Sequence, residues 1–288
     1  MMSNPWISRR VLNYAHRGGA LEAPSSTIYA VEKAIFGGAT AIEIDVHPTK
    51  DGHAVCLHDD SLERTTNGLG NVRDVTLDEI KTLDAAYYFA GNGAEEDHNL
   101  KESAYPYRGL AKEDARFRVP TLEEVIDACN DVFINIDIKE DMGTEGEFET
   151  KLASLVLDRG LLDQTIFASF LQGPLDRVRT LYPEIHTAAS PEEALRFYND
   201  FLADRQRPET LPLPYVALQI PASYGGIEYL DSSFVEFAHE CGVAVHVWTI
   251  NERSQMEHLV EVGVDGIITD RPALCATTLS ELNTFYQP

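Results

Sequence analysis

The sequence has few cysteines, little positive charge and no long hydrophobic run. Its four cysteines, Cys56, Cys129, Cys241 and Cys275, lie far apart in apolar surroundings and form no Cys-x-x-Cys pair. Buried free thiols are their expected state, which suits a reducing, cytoplasmic setting. Lys and Arg number 23 against 47 Asp and Glu, a formal net charge of -24. Such a surface repels nucleic acid and anionic membranes, so neither a nucleic-acid partner nor stable membrane association is expected. No window approaches the roughly 20 apolar residues of a membrane span. The N-terminal stretch MMSNPWISRRVLNYA lacks the apolar core of a secretory signal. No Gly-x-Gly-x-x-Gly opens a first helix, which weakens a dinucleotide-binding open sheet.

What is present is a rhythm. The 288 residues are 44% hydrophobic and 24% charged, an ordinary globular composition able to bury a core. Short strand-like runs alternate with longer helix-like ones. VLNYAHRG reads as a strand, STIYAVEKAIFGG as a helix with its N-cap among Ser25, Ser26 and Thr27, and TAIEIDVHPT as a second strand. AVCLHDD reads as an extension or hairpin partner joined through Asp51-Gly52. Continued to the end, the count is about eight strand–helix units, the number that closes a (β/α)8 TIM barrel. A single domain over residues 1–288 is expected, with no linker that requires a second. About sixty residues between His58 and Pro120 break the rhythm, and a loop that long is usually functional or disordered. The stretch from about 60 to 118 is therefore expected to be an irregular insertion after the second strand, over the active-site face.

In such barrels chemistry gathers at the C-terminal ends of strands. His16-Arg17, Glu43 and Asp45, His58-Asp59, Asn135, Asp137 and Lys139, Ser169-Phe170, Gln219, His246 and Trp248, and Thr269-Asp270 all fall there. Glu43 and Asp45 are two apart and share one strand face, while Ile42, Ile44 and Val46 take the other. Asn135, Asp137 and Lys139 alternate with Ile134, Ile136 and Ile138 in the same way. Two carboxylates facing into a barrel need cancellation, which a hard divalent cation supplies through oxygen ligands. Asp137 offers a third carboxylate. Arg17 and Lys139 favour a phosphate-like anion, and two histidines suit acid–base work on a phosphodiester. His47, His53 and His98 read as solvated loop histidines, and His186, His239 and His258 as peripheral. His246 alternates in phase with Trp248 and reads as lining the barrel. Trp248 reads as core or as an apolar wall at the mouth.

These residues resemble the glycerophosphodiester phosphodiesterase family. The resemblance rests on AHRGG, on GATAIEIDVHPTKDGHAVCLHDDSLERTTNGLGNVRDVTLDEI, on VPTLEEVIDA with INIDIK, and on VWTINERSQMEHLVEVGVDGIITDRP. It implies a (β/α)8 barrel with an insertion after the second strand. It implies His16 and His58 as the acid–base pair, Glu43, Asp45 and Asp137 as ligands of one divalent cation, Mg2+ or Ca2+, and Arg17 and Lys139 on the phosphate. Trp248 joins them as a substrate-binding residue. The implied reaction is metal-dependent hydrolysis of a small glycerophosphodiester to sn-glycerol 3-phosphate and an alcohol, with the glycerol hydroxyl attacking phosphorus before water. A lysophospholipase D with the same residues, or a non-catalytic phosphodiester-binding barrel, is the alternative. Two positions depart from the family pattern. Pro24-Ser25-Ser26-Thr27 stands where Pro-Glu-Asn-Thr is usual, with Glu22 nearby to compensate, and Asp137 replaces a Glu. Gly18 and Gly19 are expected to turn the backbone away without crowding the phosphate.

Overall fold

Runs such as AIEIDV and FINIDI put β-branched side chains on one face and polar ones on the other, and each becomes a strand. In the computed structural model, residues 4–7, 10–91, 93, 96–129, 131–143, 145–203, 212–224 and 227–286 are described. The strands are β1 (Leu12–His16), β2 (Ala41–Pro48), β3 (Ala54–Cys56), β4 (Phe133–Ile138), β5 (Thr165–Ala168), β6 (His186–Thr187), β7 (Ala217–Pro221), β8 (Ser223–Tyr224), β9 (Ile227–Glu228), β10 (Ala244–Trp248) and β11 (Gly266–Thr269). The helices are α1 (Ile28–Phe36), α2 (Leu77–Ile80), α3 (Leu122–Cys129), α4 (Glu147–Asp158), α5 (Gln172–Leu181), α6 (Pro191–Leu202), α7 (Ser232–Glu240), α8 (Arg253–Val262) and α9 (Pro272–Glu281). Parallel pairing runs in the order β6-β5-β4-β2-β1-β11-β10-β7. The ring closes where Ala188 bridges Ala217 and the Ala189 amide donates to the Ala217 carbonyl at 2.8 Å. The protein is a (β/α)8 TIM barrel, as the alternation predicts.

The period of two decides what faces where. Leu12, Tyr14, Ala41, Ile166, Ala188, Ala217, Ala244 and Ile268 share an inner cluster, floored by Trp6. Ile42, Ile44, Ile134, Ile136 and Ile138 point outward and pack under Val31, Leu122, Val125 and Leu152 of the helices. Full burial of each such side chain is worth about 1.5–3 kcal/mol. Thr27 is the N-cap of α1, its hydroxyl accepting from the Ala30 amide at 3.1 Å. Gly18 (φ 79°) and Gly19 (φ 92°) take the left-handed region. A Cβ at Gly18 would lie 2.8 Å from the Ala30 Cβ, and one at Gly19 would lie 2.8 Å from the Pro272 ring. These glycines therefore make room for α1 and α9. The four cysteines are free and buried. Among the described residues no helix is long and apolar enough to cross a membrane.

The stretch after β3 is built of short turns rather than irregular chain. Helical turns at 72–74, 102–104, 110–112 and 115–117 join α2. Two small apolar clusters hold them: Leu62, Val72, Ile80 and Ala85 against Val55 and Val119, and Ala86, Ala111 and Phe117 against Tyr29 and Tyr107. The Arg108 guanidinium sits 3.5 Å from the Tyr105 ring centre and 4.1 Å from that of Tyr87. Tyr88 stacks on His98, and Tyr107 stacks on Phe117. Tyr87, Tyr88, Tyr105 and Tyr107 are thus committed to packing within the insertion.

Candidate active site

β2 and β4 lie side by side in a register that pairs Glu43 with Asn135 and Asp45 with Asp137. Their inward side chains therefore stack at one end of the barrel. One oxygen from each of Glu43, Asp45 and Asp137 falls within 4.8 Å of the others, and all three residues are buried. Two cations lean on this cluster. Lys139 Nζ is 3.2 Å from Asp45 Oδ1 and 3.2 Å from Asp137 Oδ2, and Arg17 Nε is 3.5 Å from Asp45 Oδ2. Burial alone would raise Asp45, but Lys139, His58 and Arg17 outweigh it and hold the carboxyl below its usual range. At Glu43 the opposing His16 and Arg17 charges do not prevail. Burial and then the Asp45 charge push it up to about 8, and burial also raises Asp137. Burial opposes the charge on Lys139, but Asp45 and Asp137 overcome it and raise the ammonium above its usual value.

This donor set fits a hard divalent cation. Asp45 Oδ2 and Asp137 Oδ1 are buried and accept no hydrogen bond, and three carboxylates face the two cations Arg17 and Lys139. The candidate donors are carboxylate oxygens, a set suited to a hard cation such as Mg2+ or Ca2+.

A histidine stands on either side. His16 ends β1, with Nδ1 2.6 Å from Asp270 Oδ1 and Nε2 3.8 Å from Glu43 Oε2. Burial works against its charge, yet Asp270 and Glu43 together raise it above the ordinary value. Asp270 follows β11 and is itself held by Asn251, whose amide donates to Oδ2 at 2.7 Å. His58 arrives differently. The β2–β3 hairpin folds the chain back so that the Leu57 amide donates to the Asp45 carbonyl at 3.2 Å. His58 Nδ1 then meets Asp59 Oδ1 at 2.6 Å. Burial is the main cause that lowers His58 below its ordinary value, ahead of the opposing Asp45 charge.

The structure thus gathers His16, Arg17, Glu43, Asp45, His58, Asp137 and Lys139 at one mouth. Trp248 ends β10 at the rim, its ring edge-on to exposed Phe170 at 5.8 Å. Lys139 Nζ lies 5.6 Å from the centre of the same Phe170 ring.

Several expectations are corrected. His47 is buried, not solvated. It shares the inward row of Glu43 and Asp45, with Nε2 3.2 Å from the His58 carbonyl and Nδ1 3.5 Å from Glu140 Oε1. β2 runs on to Pro48 and the hairpin covers this ring. His186 belongs to barrel strand β6, where it accepts from Trp6 Nε1 at 2.9 Å. Glu22 does not reach the carboxylates; its Oε2 accepts from the Ala273 amide at the start of α9. Ser25 and Ser26 are buried with hydroxyls that find no hydrogen-bond partner. His246 does line the barrel, but deeper, next to Tyr14 and Gln219, and burial pushes it down to about 4. Asn251 is a member of the site that strand-end reading misses, because it lies in the loop after β10. Strand-end reading also gives Asp59 and Asp270 no role, although their places beside His58 and Thr269 are the signal for orienting carboxylates.

Three comparisons bear on this arrangement. The model of the Glycerophosphoryl diester phosphodiesterase family matches residues 16–274. A glycerophosphodiester phosphodiesterase of Caldanaerobacter subterraneus is 33% identical over 265 residues, covering 91% of this chain and 95% of that protein. One of Bacillus subtilis is 32% identical over 274 residues, covering 92% and 85%. The structure of an Oleispira antarctica phosphodiesterase in complex with the product sn-glycerol-3-phosphate superposes with a TM-score of 0.71. It is 25% identical and covers 94% of this chain and 97% of its own. With a family model spanning nearly the whole barrel and relatives matched along their lengths, the chain belongs to the glycerophosphoryl diester phosphodiesterase family.

Proposed function

We propose that this protein hydrolyses glycerophosphodiesters to sn-glycerol 3-phosphate and an alcohol, with His16 and His58 as the proton-transfer pair. The observation that carries this reading is the buried carboxylate cluster flanked by two histidines, each bound through Nδ1 to an aspartate. Glu43, Asp45 and Asp137 would hold one divalent cation, Mg2+ or Ca2+, which when bound polarises a phosphoryl oxygen as a Lewis acid. Arg17 and Lys139 would bind the other phosphoryl oxygens and stabilise charge that develops on them. With Nδ1 engaged, each ring keeps Nε2 for the reaction. One ring would take the proton from the attacking oxygen, and the other would give a proton to the departing alkoxide. Trp248, with Phe170 beside it, would form the apolar wall for the glycerol or alcohol carbons.

The names of the Caldanaerobacter and Bacillus relatives and the product in the Oleispira structure support the substrate class. We read residues 1–288 as one barrel domain carrying the insertion, and the buried free cysteines as suited to the cytoplasm. The test is release of sn-glycerol 3-phosphate from glycerophosphocholine by metal-stripped protein, then with Mg2+ or Ca2+ restored. Turnover that returns with one cation is expected. No product from the folded protein under any condition would overturn the reading, and lysophosphatidylcholine in the same assay would separate a lysolipase from a binding barrel.

A further inference from the structure

The insertion is wired to one catalytic histidine and not to the other. Arg64 sits just past His58-Asp59, at the start of the inserted stretch. Its guanidinium makes a fork on Asp59, with Nε on Oδ2 and the second terminal nitrogen 3.1 Å from Oδ1. Its remaining terminal nitrogen reaches Glu96 Oε2 at 2.6 Å, and the Glu96 side chain is 6% exposed. The Arg64 carbonyl accepts from His98 Nε2 at 2.9 Å. That ring stacks on Tyr88 at 3.6 Å, and Tyr88 abuts Tyr87 and Tyr105, which sandwich Arg108. A continuous line of contacts thus runs from the packed aromatic body of the insertion, through His98 and Arg64, to the carboxylate on His58 Nδ1. The Asp59 carboxyl shows the effect: partial burial would raise it, but Arg64 and His58 pull it down to about 2.

We propose that Arg64 is a positioning residue for His58, fixing the Asp59 carboxylate that holds the ring and fastening segment 96–98 of the insertion to it. The inference rests on the reading of His58 as a proton-transfer group. A planar guanidinium suits this place because one side chain grips both oxygens of Asp59 and still has a donor for Glu96. An ammonium offers a single point of charge. Asp59 with one oxygen released can rotate, and the His58 ring loses the direction of its Nε2. His16 does not depend on this line, because Asp270 and Asn251 orient it from the opposite side of the mouth.

The experiment is a double-mutant cycle on the metal-loaded enzyme with glycerophosphocholine. Arg64→Met is expected to lower kcat about tenfold to a hundredfold with KM changed less than about threefold, the usual cost of losing a group that orients a ligand or base. Arg64→Lys should recover part of that loss. In an Asp59→Asn background, Arg64→Met should cost less than about twofold more, because two members of one chain do not add. Losses that multiply in the double variant would overturn the proposal, as would a wild-type kcat in Arg64→Met. If Arg64→Met does not fold by circular dichroism, Arg64→Lys in the two backgrounds gives the same comparison. His58→Ala is the separate control. Undiminished turnover there would overturn the reading of His58 and the inference with it, whereas loss in His58→Ala with additive Arg64 and Asp59 effects would overturn the inference alone.

Discussion

His16 and His58 reach the same arrangement from different parts of the chain, each giving Nδ1 to a carboxylate and keeping Nε2 for the mouth. The aspartate fixes the tautomer and stabilises the ring when it gains a proton. Asp270→Asn keeps the size and removes the charge, so kcat should fall about tenfold to a hundredfold with folding intact. His16→Ala should fall further, and unchanged turnover in that variant, measured beside a circular-dichroism check, would sink its assignment. Glu43, Asp45, Asp137 and Lys139 were legible because a strand repeats every two residues, and the alternating isoleucines reveal which face is inward. Asn251 was not, because its partner lies 19 residues on and no local pattern links them. His47 reads as a loop residue because it precedes a Pro-Thr turn, and only the long-range fold of the hairpin over the ring buries it.

Among the elements, the strands and helices followed their hydrophobic periods, and the insertion was the part that composition described badly. Its order comes from tyrosine–arginine stacking and small apolar clusters, which carry no periodicity to read. A clearer case of elements tied by charge is α7. His239 on this helix places Nε2 2.8 Å from Asp265 Oδ2, and the same oxygen accepts from the Val245 amide of β10. The Asp265 hydrogen bond raises His239 above its ordinary value, with partial burial opposing. Its stabilising contribution is therefore full below the unfolded value of about 6.5 and is lost as pH rises through the higher folded value. Thermal melts should show wild type exceeding His239→Gln by most near about pH 5.5, with the gap shrinking toward about pH 8. A gap that is constant or widens with pH would contradict this.

For the whole molecule, the two ends of the barrel divide the work. The mouth holds charge, and the opposite end is closed by Trp6, 1% exposed, against Phe133, His186 and His246. Asn4 secures this plug by donating to the Val216 and Gly242 carbonyls. Trp6→Ala should cost about 3–5 kcal/mol in urea unfolding, the range for a buried aromatic removed from a core. The kcat should hold, since the ring lies at the far end from His16 and His58; a kcat that falls with the fold intact would show the two ends coupled. The count of strand–helix units revealed the barrel, while the plug, formed by a segment without a strand or helix pattern, did not show in the sequence. The His16–Asp270 pair spans 254 positions of the chain and rests on β11 slotting between β1 and β10. The carboxylate that orients His16 is therefore supplied only once two strands distant in sequence have paired, so this contact reports long-range assembly of the barrel rather than any local turn.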